Sequence, residues 1–248
     1  MLYKDNFSTQ AQQYALFRPH YPQSLYDYLL VLVGKERGLL WDCATGNGQV
    51  AHHLATHFQQ VIATDASEAQ IENAFSAPNI QYRVGKAHES GLPNHSTDLI
   101  TVGQALHWFA QEDFYAEVQR VGKPQSYFVA WGYALCKIEP AIDVIVKELY
   151  TTVLGNYWDK ERHYLDDFYK TLPFPFDELA FPTFEMTSQY DLLAFKQYLA
   201  TWSSWQKYQK AHAKSPLEHL EQDLDKAWGN PTEIKTIHFP LCIKATRI

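Results

Sequence analysis

Two aspartates, Asp42 and Asp65, each close a short apolar run, and the turn WDCATGNGQ (41–49) lies after the first of them. A strand at 39–41 runs into Asp42, a loop with Ala44, Gly46 and Gly48 follows, and a helix begins. That order suits a nucleotide-like ligand laid against a helix N-terminus. Glycine lets the backbone approach such a ligand closely. Asp65 ends the next strand, where a carboxylate can accept hydrogen bonds from the two hydroxyls of a ribose. The competing reading is that Asp65 only caps the helix starting near Ser67. The glycine spacing narrows the ligand. A dinucleotide site wants GxGxxG, but position 51, three beyond Gly48, is Ala.

These residues need a frame to hold them. Segments 39–43, 61–65, 80–84, 98–106 and 126–135 are short, apolar and not clearly alternating, as expected of strands covered on both faces. Val50, Leu54, His57 and Phe58 repeat at helical spacing between the first two, and Phe114, Val118 and Val121 form a later stripe stopped by Gly122 and Pro124. Ser67 with Gln70 forms a capping box. The alternation predicts an α/β fold, a mostly parallel sheet with helices on both faces. In the second half, Pro140 opens a helix carrying Ile142, Val146, Leu149 and Val153. Residues 156–184 are rich in aromatics and proline and read as an insertion. Residues 184–190 suit a strand. Ser215, Pro216 and Glu218 predict the start of a helix carrying Leu217, Leu220, Leu224 and Trp228. The last segment, 234–248, reads as a strand with an edge or bulge at Pro240.

The 248 residues are 46% hydrophobic and 20% charged, sufficient for one globular α/β domain. With 21 basic against 28 acidic residues, the net charge of −7 argues against a nucleic-acid partner. No signal-peptide core opens the chain, and no apolar run is long enough to span a bilayer, so a cytoplasmic protein without a membrane partner is expected. Cys43, Cys136 and Cys242 are widely spaced and form no CxxC. That fits a reducing compartment and offers no zinc site.

The loop resembles the D-x-G-x-G-x-G turn of class I S-adenosylmethionine-dependent methyltransferases, with Ala44 at the first glycine. GQALHWF (103–109) after the fourth strand, and FSTQAQQYALFRPHYPQSLYDYL (7–29), are similar to the type 11 domain group of small-molecule methyltransferases, which includes trans-aconitate methyltransferase-like proteins. The resemblance implies a Rossmann-like, seven-stranded sheet and S-adenosylmethionine as cofactor. It implies cofactor contacts from Phe7, Tyr14 and Arg18 in a covering helix, from Asp42, Ala44, Gly46 and Gly48 in the loop, and from Asp65 and Ala66 at the ribose. Ala87 and His88 would line the adenine, and Gln104 would close the fourth strand beside it. Arg18 would pair with the methionine carboxylate. The whole chain, 1–248, is expected to be a single domain, with 7–135 as cofactor core, 136–200 as lid and 201–248 as closing helices and strand.

On the acceptor side, His107 and Trp108 are the catalytic candidates. A histidine suits general-base work, yet methylation of an anionic oxygen needs no base, and positioning carries the in-line displacement. The insertion offers Tyr157, Trp158, Tyr164 and Phe168 as a dry lid. Its Arg162 would pair with a carboxylate substrate. Trp158, Arg162 and Tyr164 are therefore the expected substrate contacts. The expected activity is O-methylation of a small-molecule carboxylate or hydroxyl by a monomer or homodimer. Two alternatives stand beside it, a silent S-adenosylmethionine-binding protein and a nicotinamide-dependent dehydrogenase.

Overall fold

The computed structural model describes residues 17–35 and 37–248. Phe7 and Tyr14 lie outside them. Helix α1 (Gln23–Val33) leads into β1 (Leu39–Cys43). There follow α2 (Gln49–Ala55), β2 (Gln60–Asp65), α3 (Glu68–Glu72) and β3 (Ile80–Val84). Strand β4 (Thr97–Gly103), α4 (Glu112–Val121) and β5 (Gly122–Tyr133) complete the first half. The sheet runs β3-β2-β1-β4-β5-β8, where β8 is Leu241–Arg247. All neighbours are parallel except β8, which is antiparallel to β5. The chain winds outward from β1 to β3 and then returns to the other side of β1 at β4. The switch point therefore lies where the loops after β1 and β4 diverge, and there an open sheet leaves a crevice.

The sheet is covered on both faces, which explains the lack of alternation in its sequence. Along β1 the side chains divide strictly by parity. Leu40 joins Leu25, Leu29, Leu54 and Trp131 on one face, while Trp41 joins Ile100, Phe114, Val118 and Phe128 on the other. Burial of each such large side chain contributes about 1.5–3 kcal/mol. The indole nitrogen of Trp41 donates to Thr64 Oγ1 at 3.0 Å, so even the polar edge of this core ring is satisfied.

The second half adds α5 (Pro140–Glu148), α6 (His163–Asp166), β6 (Thr187–Tyr190), α7 (Leu192–Ala200), α8 (Ser203–His212), α9 (Glu221–Trp228) and β7 (Lys235–His238). After α5 the chain continues as a π-helical turn over Leu149–Val153, which keeps Leu149 in line with Ile142 and Val146. A third core holds this half together, with Ile142, Leu149, Phe195, Trp202 and Trp228 among its members. It draws from both sides of residue 200, so lid and closing helices share one hydrophobic cluster. Among the described residues, no helix is long and apolar enough to cross a membrane.

Two expectations need correction. Among the described residues the main sheet has six strands, not seven. Pro240 has no N–H to give a ladder and divides the terminal segment in two. The part before it, β7, pairs antiparallel with β6 in a separate two-stranded sheet. The helix expected from Ser215 starts only at Glu221. The hydroxyl of Ser215 accepts from Leu217 N at 3.2 Å within a tight turn, and Leu217 and Leu220 are buried from that turn.

Candidate active site

The loop after β1 is held by a buried carboxylate beneath it. Asp42 is 1% exposed. Its Oδ2 accepts from Thr45 Oγ1 at 2.5 Å and Ala51 N at 3.2 Å, and its Oδ1 accepts from Thr101 Oγ1 at 2.7 Å. It thereby ties the loop, the first turn of α2 and strand β4 to one point. Burial pushes its pKa up to about 6, and the nearby charge of Asp65 acts in the same direction, against three hydrogen bonds. Asp42 is at the cavity wall, but its oxygens are engaged inward. Asp42 thus supports the loop from beneath while bordering the cavity.

Ala44, Gly46 and Gly48 all have left-handed backbone, with φ of 55°, 57° and 82°. Ala44 therefore occupies a conformation that favours glycine and carries some strain. The two glycines do different work. A Cβ on Gly46 would come no nearer than 3.9 Å to its nearest neighbour, Gln70 Oε1, so this face of the loop opens on the cavity. A Cβ on Gly48 would lie 2.1 Å from Tyr82 Oη. Gly48 thus serves close packing with β3 at the start of α2 and is not part of the cavity lining.

Asp65 ties the glycine loop to the turn before α3. Its Oδ2 accepts from Gly46 N and its Oδ1 from Ser67 N, each at 2.8 Å. The cap of α3 itself is Ser67, whose hydroxyl accepts from Gln70 N. Asp65 nonetheless lines the cavity together with Ala66, Lys86, Ala87 and His88. Each carboxylate oxygen has further lone pairs to offer a hydroxyl donor.

Gln104 ends β4 in left-handed backbone, φ 57°. Its side chain is committed: Oε1 accepts from Tyr133 N at 2.7 Å and Nε2 donates to Tyr133 O at 3.3 Å. This double bond to the backbone clasps β4 to the end of β5. Gln104 also lines the cavity. Tyr133 then reaches the N-terminal segment, its hydroxyl accepting from Arg18 Nη1 at 2.8 Å, while Arg18 Nη2 donates to Thr201 O at 3.1 Å. Arg18 lines the cavity as expected.

His107 and Trp108 lie in a 3-10 turn at the cavity, rings 4.7 Å apart. His107 is buried, and its Nδ1 lies 3.3 Å from Tyr169 Oη. Burial, with the charge of Arg162 second, holds its pKa well below 6.5. It is therefore a neutral imidazole at neutral pH, able to accept a proton only from a strong acid or a developing cation.

The insertion closes the chamber with fewer side chains than expected. Trp158 and Arg162 line it. Tyr164 does not: α6 turns it toward the sheet-face core around Leu165 and Tyr169. Tyr157 faces outward, its ring against Tyr208 and its hydroxyl 2.5 Å from His212 Nε2. Phe168 is 42% exposed. Arg162 stacks over Trp158 and Tyr150, at 5.1 and 5.5 Å from the ring centres. Its Nε donates to Tyr150 Oη at 2.8 Å, and that hydroxyl donates to Asp166 Oδ1 at 2.7 Å. Sequence reasoning missed Tyr133, Tyr198, Asp159 and Glu161, which also line the chamber. Tyr133 was within reach of the rule that strand ends form the site. Tyr198 comes from α7, and Asp159 and Glu161 from the short turn of the insertion around 160–162, whose packing no local pattern foretells.

A single cavity of about 360 Å³ joins these parts, from the glycine loop across the switch point to Trp158 and Arg162. A glycine loop over a helix start, an acidic second strand end and a wall from the fourth strand define a nucleoside-cofactor site in a doubly wound fold. Comparison with known proteins specifies which. The methyltransferase domain family matches residues 41–130. A methyltransferase-family protein of Dictyostelium discoideum is 32% identical over 96% of this chain and 93% of its own length. The solved structure of a type II methyltransferase-family protein from Anaeromyxobacter dehalogenans superposes with a TM-score of 0.84, at 38% identity, covering 93% of this chain and 98% of the other. An S-adenosylmethionine-dependent methyltransferase-family protein of Saccharomyces cerevisiae is 25% identical over 52% of this chain and 47% of its own. The chain belongs to the class I S-adenosylmethionine-dependent methyltransferases, and S-adenosylmethionine is its cofactor.

Proposed function

We propose that the protein methylates an oxygen of a small molecule, a carboxylate in the first place. The observation carrying this reading is the uncommitted edge of Arg162. Its Nε is bonded to Tyr150, whereas its two terminal nitrogens have no hydrogen-bond partner among the described residues and the side chain lines the chamber. A guanidinium presented edge-on favours a planar, two-oxygen anion. The chamber is walled by Trp158, Trp202 and Tyr198, which favours a small acceptor over a macromolecular surface.

The residues fit the cofactor. Gly46 opens the loop where a side chain would intrude, and Asp65 offers acceptors for the ribose hydroxyls. Ala66, Ala87 and His88 border the adenine region, with the backbone of Gln104 opposite. Arg18, which lines the cavity, would face the methionine carboxylate. When bound, S-adenosylmethionine supplies a methyl on a sulfonium, transferred in line as the electron pair of the C–S bond passes to sulfur. Arg162 holds the accepting oxygen and Trp158 excludes water, so alignment supplies most of the catalysis. No proton moves when a carboxylate is methylated. A hydroxyl acceptor is the second reading. It is favoured by His107, a neutral imidazole bordering the same chamber, which could take the hydroxyl proton.

Incubation with methyl-labelled S-adenosylmethionine and a panel of small organic acids tests the reading. Label released as methanol by mild base identifies a methyl ester. Exclusive base-stable labelling would refute carboxylate methylation.

A further inference from the structure

The charges of the acceptor chamber are unequal in availability. Arg18 and Arg162 both line it. Arg18 donates to Tyr133 Oη and Thr201 O, so it is already engaged across two elements. Arg162 lines the chamber and pairs with Asp166 Oδ1 only through Nε, at 3.7 Å, so its terminal nitrogens have no hydrogen-bond partner among the described residues. Its orientation is fixed by a relay, since Asp166 accepts from Tyr150 Oη and Tyr150 accepts from Arg162 Nε. The same stretch brings two carboxylates to the wall, Asp159 and Glu161. Asp159 is bound by Lys207 at 2.5 Å. A second or third carboxylate on an acceptor held by Arg162 would meet the rings of Trp158, Trp202 and Tyr198. Desolvating an unpaired charge there is costly. An apolar body meets ring faces instead.

We infer that the acceptor is an apolar monocarboxylic acid, its single carboxylate gripped by the terminal nitrogens of Arg162 and its hydrocarbon body packed on Trp158 and Trp202. The inference rests on the carboxylate reading above and specifies it: the aromatic wall disfavours polycarboxylates. Tyr150 is a positioning residue, acting on the acceptor only through Arg162.

The test measures binding without turnover. With S-adenosylhomocysteine bound, titration calorimetry compares trans-cinnamate, cinnamamide and citrate. Cinnamate should bind, cinnamamide about 30-fold or more weaker, because a charge-assisted pair is replaced by neutral bonds, and citrate not detectably. Arg162→Gln should remove the preference for cinnamate over its amide while leaving S-adenosylhomocysteine affinity within about threefold of the parent. Tyr150→Phe should weaken cinnamate by an intermediate factor and leave cinnamamide unchanged. The amide comparison is made on the native protein and stands even where Arg162→Gln fails to fold. Citrate binding as tight as cinnamate, equal affinity for acid and amide, or a folded Arg162→Gln that retains the preference would each overturn the inference. Arg162-dependent binding of cinnamate without any base-labile label in the turnover assay would uphold the acceptor class while defeating carboxylate methylation. Ester formation on citrate would do the reverse.

Discussion

Replacing Asp42 by Asn should change how stability depends on pH, by an amount fixed by the burial of one carboxyl. Asp42 titrates near 6 in the folded chain against an ordinary value of 3.8. A raised folded pKa means that the folded state holds the proton more tightly. The stabilisation is complete below pH 4 and is lost as pH rises through about 6. The difference corresponds to roughly 3 kcal/mol. Asparagine is uncharged throughout. Its oxygen can still accept from Ala51 N and Thr45, and its amide can donate to Thr101. The quantity to measure is the difference in urea unfolding free energy between Asp42→Asn and the parent, at pH 4 and at pH 7.5. It should shift by about 2.4 kcal/mol in favour of Asn over that interval, the unfolded carboxyl being already partly ionised at pH 4. Taking a difference also removes the contribution of His107, which runs the other way. Its depressed pKa makes stability fall as pH drops below 6.5, equally in both proteins. A difference that stays flat within about 1 kcal/mol would refute the assignment of Asp42 as a strained, buried anion.

Three further outcomes follow from the loop. Ala44→Gly should stabilise the protein by up to about 1 kcal/mol in thermal or urea unfolding, relief of left-handed strain being partly offset by glycine's entropy. Gly48→Ala should destabilise it by about 2–3 kcal/mol, since the new methyl meets Tyr82 Oη and the backbone is strained. Asp65→Ala leaves Gly46 N and Ser67 N without their acceptor and should weaken S-adenosylhomocysteine binding about 10- to 100-fold by calorimetry. A variant that binds as the parent does would remove Asp65 from the cofactor site.

The legible half of the molecule was the half governed by local rules. Strands at 39–43, 61–65 and 80–84 could be read because burial on both faces leaves continuous apolar runs between turns. The loop, Asp65 and the strand-end Gln104 follow from sheet topology, which fixes where ligands enter. What the sequence did not disclose was direction. Nothing in the spacing says that Asp42 turns inward to Thr101, that Gln104 clasps Tyr133, or that Tyr164 leaves the chamber while Arg162 enters it. Those outcomes depend on contacts across 29 residues, between Gln104 and Tyr133, or across 59, between Asp42 and Thr101. Pro240 was visible as a disturbance. Its effect, moving a strand out of the main sheet, depended on β6 offering an alternative partner.

The three separate hydrophobic clusters have a consequence for how such a chain can vary. The two that sandwich the sheet fix the strand ends and hence the cofactor loop. The third meets the sheet at its margin, through Tyr133 and the residues around Phe239. Substitutions among Leu149, Trp202 and Trp228 can therefore reshape the acceptor chamber without disturbing the supports of Asp42 or Asp65. A lineage built this way can exchange one acceptor for another by drift in its helical layer, while the methyl donor it accepts stays fixed.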